Sequence, residues 1–279
     1  MKHAQNLGLI PSLMTHAGTC LTADNWYEVG INAVAVDLAS LLFKPGFTLL
    51  SKLKKLSNYL GWEKTIVLNA SLTQAKINRA NDQYVLRSPY DGSILSYSLD
   101  EIILLIEDLQ PDLVILPTGV MHQFKSEGIT PFYSPAEQHS TQTAAGIYFY
   151  YDNKNSWSDF LATLQRHQGK MCFVAGDLGF EEIQELNKIG IRFIQSDLPA
   201  ANACQGEIYT AQGPIVLSTT QYADDFELID NQCSCPTCTQ SFTRAYLHHL
   251  LAQTPLLCQR LLIQHNLHFC QTRLYTHTS

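Results

Sequence analysis

Three cysteines crowded into the stretch NQCSCPTC, at positions 233, 235 and 238, constrain this chain more than any other feature. Thiols this close along the backbone can hardly pair with one another without strain. Their spacing suits a turn wrapped round a single ion, and Pro236 stiffens that turn. His265, in QHNLH, offers the imidazole that completes a set of three thiolates and one nitrogen, the donor set of a closed, four-coordinate zinc site. The sequence therefore predicts Cys233, Cys235, Cys238 and His265 as metal ligands and Zn2+ as the ion. His265 lies far along the chain on a predicted helix, so the metal would tie two segments together. An ion fully ligated by protein has no open position for substrate or activated water, so its expected role is structural. The alternative is three unpaired or disulfide-bonded cysteines, and the tight spacing argues against it.

The other five cysteines (Cys20, Cys172, Cys204, Cys258 and Cys270) show no disulfide-framework spacing, which fits a reducing compartment. The opening MKHAQNLGLI has no long apolar run and no cleavage site, so no secretory signal is expected. No stretch reaches the roughly 18 apolar residues of a membrane helix, and a cytoplasmic protein without membrane contact is predicted. The 279 residues are 46% hydrophobic, enough to bury a core. The formal net charge is −7 with 18 Lys and Arg in all. That balance disfavours a nucleic-acid surface, which presents cations to phosphates.

Periodicity outlines an α/β chain. Residues 30–37 read as a buried strand, Phe43 to Gly46 as a turn, 48–60 as helical and 65–69 as a strand. Residues 83–97 read as a hairpin turning at Asp91-Gly92. Residues 99–109 form an amphipathic helix, and Asp112 to Leu116 a strand. Residues 121–145 are expected to be one long loop. Then strand 146–151, helix 156–167, strand 171–175, helix 180–190 and strand 191–195 alternate. That run is the signature of a doubly wound sheet or a (β/α) barrel. Helices over 241–252 and 254–276 close the chain.

Several of these segments resemble the tRNA-guanine transglycosylase (queuine tRNA-ribosyltransferase) family. CSCPTC, Tyr246-Leu247-His248-His249-Leu250 and His265-Asn266 are similar to its zinc region. Leu42 to Gly46 resembles its Leu-Leu-Arg-Pro-Gly turn. Arg87-Ser88-Pro89-Tyr90-Asp91-Gly92-Ser93 resembles its Arg-Ser-Pro-x-Asp-Gly-Ser hairpin, and Tyr209-Thr210-x-x-Gly213 its Phe-Thr-x-x-Gly segment. The likeness implies a (β/α) barrel of the TIM type, shortened around 120–146, with a C-terminal zinc-binding helical subdomain. The expected division is an incomplete barrel over 1–228 and a zinc-binding segment over 229–279. It also implies a family chemistry that exchanges a guanine in tRNA for a deazapurine through carboxylates. One carboxylate attacks the ribose, one serves as acid or base, and one reads the base.

This chain departs from that pattern where the chemistry lies. The nucleophile position falls on Gln195, the acid/base position on Asn69 and the base-reading position on Thr118. An amide is a poor nucleophile and cannot shuttle a proton. Residues expected to hold tRNA phosphates are Ala200, Ala201 and Cys204. Asn69, Thr118 and Gln195 are therefore expected, at most, as neutral substrate-binding groups. Asp197 could act as a displaced nucleophile if it shares a strand face with Gln195; the plainer reading is a helix cap or loop carboxylate. Asp177 follows a strand end, where barrel sites are built; the plainer reading is an N-cap for the helix near Phe180. Asp91 is expected to serve its turn. His248 or His249 as a substitute ligand, phosphate contacts from Arg244 or Arg273, and base stacking on Tyr148 to Tyr151 are weaker alternatives to ordinary structural roles.

The resemblance thus implies a non-catalytic family member that keeps its metal and acts as a binding or partner subunit in tRNA modification. The expected contact is a homodimer, or a heterodimer with a family subunit, through the surface from Tyr246 to Leu257. tRNA itself is disfavoured by the charge. The alternative is a divergent enzyme acting on a purine or deazapurine base or nucleoside.

Overall fold

In a computed structural model, residues 7–78, 83–118, 120, 124, 125, 127–137 and 145–275 are described. The strands in chain order are β1 (Leu9–Ile10), β2 (Ala33–Asp37), β3 (Thr65–Asn69), β4 (Lys76–Asn78), β5 (Gln83–Arg87), β6 (Ile94–Ser98), β7 (Leu113–Ile115), β8 (Thr130–Tyr133), β9 (Gly146–Tyr151), β10 (Cys172–Gly176), β11 (Phe193–Gln195), β12 (Glu207–Ile208) and β13 (Ile215–Val216). The helices are α1 (Ala23–Glu28), α2 (Leu38–Leu41), α3 (Phe47–Leu50), α4 (Leu56–Leu60), α5 (Leu99–Leu109), α6 (Trp157–Gln165), α7 (Phe180–Lys188), α8 (Leu198–Cys204), α9 (Pro236–Thr239), α10 (Arg244–Gln253) and α11 (Pro255–Tyr275).

Eight strands form one sheet in the order β1-β11-β10-β9-β8-β7-β3-β2. Read from β2, the strands follow the chain without reversal, and β1 sits beside the last of them. A doubly wound sheet would reverse direction at a switch point; this order is that of a nearly closed (β/α) barrel. The pairs β1–β11, β3–β7, β7–β8 and β8–β9 are parallel. Strands such as β2, AVAVD, are buried along almost their whole length, as parallel strands covered on both faces must be. The barrel has its eight strands. Its economy lies in the connections: among the described residues, the links from β7 to β8 and from β8 to β9 carry only the short 3-10 turn Pro135–Glu137.

The chain divides into two compact units. One comprises Met1–Ala33, Tyr150–Gln168 and Val174–Ser279; the other comprises Val34–Phe149 and Gly169–Phe173. In the second unit, local chemistry places the elements directly. Ser98 and Glu101 form a capping box at the start of α5, and Ile102, Leu105, Ile106 and Leu109 are its buried stripe. The hairpin β5–β6 pairs Gln83 with Ser98 through Arg87 with Ile94, and β4 adds a third strand on β5. Gly46, at φ +96°, occupies a left-handed position at the end of the Phe43–Gly46 turn.

Two expectations are corrected here. Residues 48–60 are not one helical stretch: α3 ends at Leu50 and α4 begins at Leu56, with exposed Lys52, Lys54 and Lys55 between them. The break lets Leu50 and Leu56 both reach the core while the ammonium groups stay in water. The 121–145 loop contains β8, whose Phe132 and Tyr133 are buried; residues 121–123, 126 and 138–144 of that stretch lie outside the described residues. Four residues with a proline carry no periodic signal of their own, and the parallel neighbours β7 and β9 impose the strand.

In the first unit the long helix α11 governs the packing. Leu262, Ile263, Leu267, Phe269, Cys270 and Leu274 are all buried, and so are Gln264, His265, Asn266 and Gln271. Polar side chains buried along a helix need partners on its neighbours. Gln271 finds them at the barrel edge. Ile10 C=O accepts from Ser196 N–H of the β11 side at 3.3 Å. Leu9 faces the other way, where the Gln271 side chain accepts from its N–H at 3.3 Å and donates to its C=O at 3.0 Å. The free edge of β1 is thus satisfied by an amide side chain instead of a strand. Gly176, at φ +149°, lets β10 pass Tyr151; a Cβ there would lie 2.0 Å from the Tyr151 carbonyl oxygen.

Replacing Gln271 by Ala strands both backbone groups of Leu9. Urea denaturation of Gln271→Ala is expected to show a loss of about 2–3 kcal/mol. A loss below about 0.5 kcal/mol, the size of a neutral surface change, would mean that the amide does not hold this edge.

Candidate functional site

The cysteine turn and α11 meet as the spacing predicted. α9 begins at Pro236 with Cys235 as its N-cap, the sulfur accepting from Cys238 N–H at 3.3 Å. This fold of the turn brings all three sulfurs to one side. The Nδ1 atom of His265 lies 3.7 Å from the sulfur of Cys233, 3.5 Å from that of Cys235 and 3.3 Å from that of Cys238. Cys235, Cys238 and His265 are buried. The four donor atoms all lie within 4.8 Å of one another.

The imidazole is oriented by its other nitrogen. Nε2 contacts the Tyr209 carbonyl oxygen at 2.8 Å. A carbonyl only accepts, so Nε2 carries a proton and Nδ1 is the nitrogen turned to the three sulfurs, the orientation of a histidine that binds metal. The next residue, Asn266, clamps the same segment. Its Oδ1 accepts from Tyr209 N–H at 3.0 Å, and its Nδ2 donates to Pro199 C=O at 3.0 Å and to Glu207 C=O at 2.9 Å. Thr237 donates to Leu261 C=O at 2.6 Å and fixes the cysteine turn to α11.

The charges of this cluster are unbalanced without a cation. Hydrogen bonds from Cys235 and Cys238 hold the Cys233 thiol far below its usual range, while Cys233 and then Cys235 push the Cys238 thiol far up. Burial opposes charge on His265, but contacts with Cys233 and Cys235 outweigh it and lift the imidazole to about 10. Three thiols this close cannot all ionise as protein groups alone. A divalent ion among them resolves the conflict, so the donors present fit a closed metal site.

The weaker ligand alternatives take structural roles. His248 Nδ1 lies 2.6 Å from Leu217 C=O. His268 Nε2 meets the Ser234 hydroxyl at 3.2 Å, next to the ligand turn. Arg244 pairs with Asp225 at 3.0 Å, and Arg273 stacks 3.6 Å over the Phe269 ring. Strand β9 buries Phe149 and Tyr151 and exposes Tyr150, which is core alternation.

The positions at which the resemblance expects carboxylates divide between the units. Asn69 ends β3, and its side chain accepts from the Ser71 N–H at 3.1 Å and hydroxyl at 2.7 Å. Thr118 is exposed after β7. In the other unit Gln195 ends β11, with its Oε1 buried and unpartnered. Asp197 does not share a strand face with Gln195, because β11 stops at Gln195 and Ser196 turns the chain to bond Leu178. Asp197 stands at the N-cap position of α8 without making a cap bond. Its Oδ1 is buried without a partner, and burial lifts the carboxyl to about 6, offset in part by the Thr15 hydroxyl. Asp177 is exposed and is not the cap of α7; that position is Gly179, whose N–H donates to Glu182 at 3.0 Å. Asp91 serves its turn, held down to about 2 by hydrogen bonds from Ser88 and Ser93.

The sequence reading passed over an open recess of about 400 Å3 beside α7, lined by Phe180, Tyr209 and Phe269 with Glu182, Asn202 and Glu207. These residues come from four separate segments, and no motif joins them.

The family model described as Queuine tRNA-ribosyltransferase matches residues 156–275. A queuine tRNA-ribosyltransferase of Treponema denticola is 35% identical over 118 residues, 42% of this chain and 31% of the relative. One of Sorangium cellulosum is 42% identical over 79 residues, 28% of this chain and 20% of the relative. The matches thus span a third or less of those relatives' own length.

Cys235→Ala is expected to abolish metal at this cluster, and metal analysis will read the lost equivalent. Asn266→Ala should keep the metal, because Tyr209 still orients His265, yet lose about 2–4 kcal/mol of stability from three orphaned backbone groups. Loss of metal in Asn266→Ala with unchanged stability would contradict this division of roles.

Proposed function

We propose, from the match of residues 156–275 to the queuine tRNA-ribosyltransferase family, that this chain is a zinc-bound, non-catalytic member acting as a binding or partner subunit in tRNA modification. The observation that carries the reading is the division between its two sites. The metal donors, their orienting carbonyl and the Asn266 clamp are complete. Gln195, Asn69 and Thr118 stand where the family resemblance expects acids. An amide at the nucleophile position leaves no charged oxygen to attack an anomeric carbon.

Zinc suits three thiolates and an imidazole better than harder cations do, and here it would hold α11 against the cysteine turn. Its four protein donors leave no vacancy for water, so the ion would brace the fold. Eight free cysteines agree with a reducing, cytoplasmic setting. Among the described residues no helix is long and apolar enough to cross a membrane. A partner would bind where α10 passes into α11. Leu256 is 68% exposed there, Leu257 50% and Tyr246 45%, and Tyr246 stacks on Phe242. These neighbouring exposed apolar side chains support a contact surface there.

One observation favours a second reading, a divergent enzyme on a purine or deazapurine base or nucleoside. Asp197 has the raised pKa of a desolvated acid, a property that clusters at functional sites. Incubation with tRNA and labelled guanine separates the two. The proposal expects no incorporation above background; incorporation that disappears in Asp197→Asn would establish the second reading.

The partner surface has its own check. Sedimentation of the chain, alone and mixed with an active family member, is expected to show a complex that Leu256→Asp with Leu257→Asp disrupts. A monomer under both conditions would overturn the subunit role.

A further inference from the structure

We propose that His16, Cys20 and Cys204 form a second metal site, built for a soft divalent cation such as Zn2+, with one coordination position open. The ring nitrogen of His16 and the sulfurs of Cys20 and Cys204 lie within 4.8 Å of one another. An ion bound at about 2.0–2.3 Å from each donor needs them somewhat closer than that, a gap that side-chain rotation can close.

The turn that carries two of the donors is tightly wound, with the Cys20 thiol 3.3 Å from the His16 carbonyl oxygen. Thr19 N–H donates to Thr15 C=O at 3.0 Å and Cys20 N–H to Ala17 C=O at 3.2 Å. The winding is helical, so residues four apart, His16 and Cys20, share a face. The Thr15 hydroxyl accepts from Gly18 N–H at 3.0 Å. A Cβ on Gly18 would lie 2.1 Å from the Ser12 carbonyl oxygen, which shows how closely the turn is drawn in. The third donor, Cys204, is buried at the end of α8.

A separate observation points to a cation. Asp197 begins the same helix, and its Oδ1 is buried without a partner. Among the described residues it makes no ion pair. Thr15, next to His16, is the hydroxyl that touches this carboxyl, and the Asp197 charge acts on Cys204. A buried carboxylate whose charge reaches Cys204 is costly unless a positive charge lies in the same region.

Two thiolates and one imidazole differ from the closed four-donor cluster of α9 and α11. Three protein ligands leave the fourth position to water or a substrate atom, as in sites where zinc acts on a ligand. Cys204 occupies a position at which the family resemblance expects a phosphate-binding arginine. Here a soft ligand stands in its place, and the loss of anion binding coincides with a gain of metal binding.

The experiment uses the full chain, purified under reducing conditions and loaded with zinc, then with cobalt as a spectroscopic probe. Two zinc equivalents per chain are expected. His16→Ala and Cys20→Ser, both on an accessible turn, should each lower the count to one with unchanged circular dichroism. The cobalt spectrum of each should lose one set of thiolate charge-transfer bands and keep the set that Cys235→Ala removes. A single equivalent in the parent chain, two equivalents retained in both variants, or a Cys20–Cys204 disulfide found by mass spectrometry in the reduced preparation would overturn the proposal.

Discussion

The packing of the first unit rests on one constraint: the long helix α11 is largely buried from Cys258 onward, and four polar side chains buried along it need partners. Each of those groups reaches a different segment. Gln264 donates to Glu28, His265 points Nδ1 at the cysteine turn and Nε2 at Tyr209, Asn266 bonds the backbone of residues 199, 207 and 209, and Gln271 completes the edge of β1. An unpaired polar group in such a place costs more than a made bond returns. These bonds together disfavour any other rotation of the helix. A metal ion at the cysteine cluster would reinforce a register already set by neutral hydrogen bonds.

That arrangement keeps the Cys/His cluster independent of the strand ends where a barrel builds its chemistry. The groups that orient His265 are backbone atoms and one asparagine, and none of them is a carboxylate at a strand end. Neither Gln195 nor Asn69 is among the hydrogen-bond partners given above for α11. Gln195 keeps a buried oxygen without a donor, and Asp197 carries an unpaired carboxyl oxygen at the first turn of α8. Groups in that condition mark where a ligand or ion would repay its own desolvation.

Where a segment's conformation is decided by residues a few positions away, it was legible. Asp91 and Ser93 bond one another and close the hairpin, Ser98 and Glu101 start α5, and the alternating aromatics of β9 divide into buried and exposed. The cysteine turn and His265 were legible because the donors of a metal site are few and specific. Reading failed where distant packing rules. β1 is two residues long and exists because β11 lies beside it; β8 is four residues inside a polar stretch. Asp177 had the residue type of a cap, yet Gly179 holds that position because Glu182 reaches its N–H. The strand-face argument for Asp197 assumed two more residues of β11 than the chain provides.

By itself the sequence determined the α/β alternation, the hairpin, the helix starts and the set of four metal donors, because each depends on spacing along the chain and on intrinsic residue chemistry. Only the tertiary structure decided which imidazole nitrogen faces the thiols, what satisfies the open edge of β1, and that His16 and Cys20 meet Cys204 from far along the chain. Those outcomes depend on which buried polar atoms come within hydrogen-bond distance once helices and strands have packed, and no spacing along the chain encodes that distance.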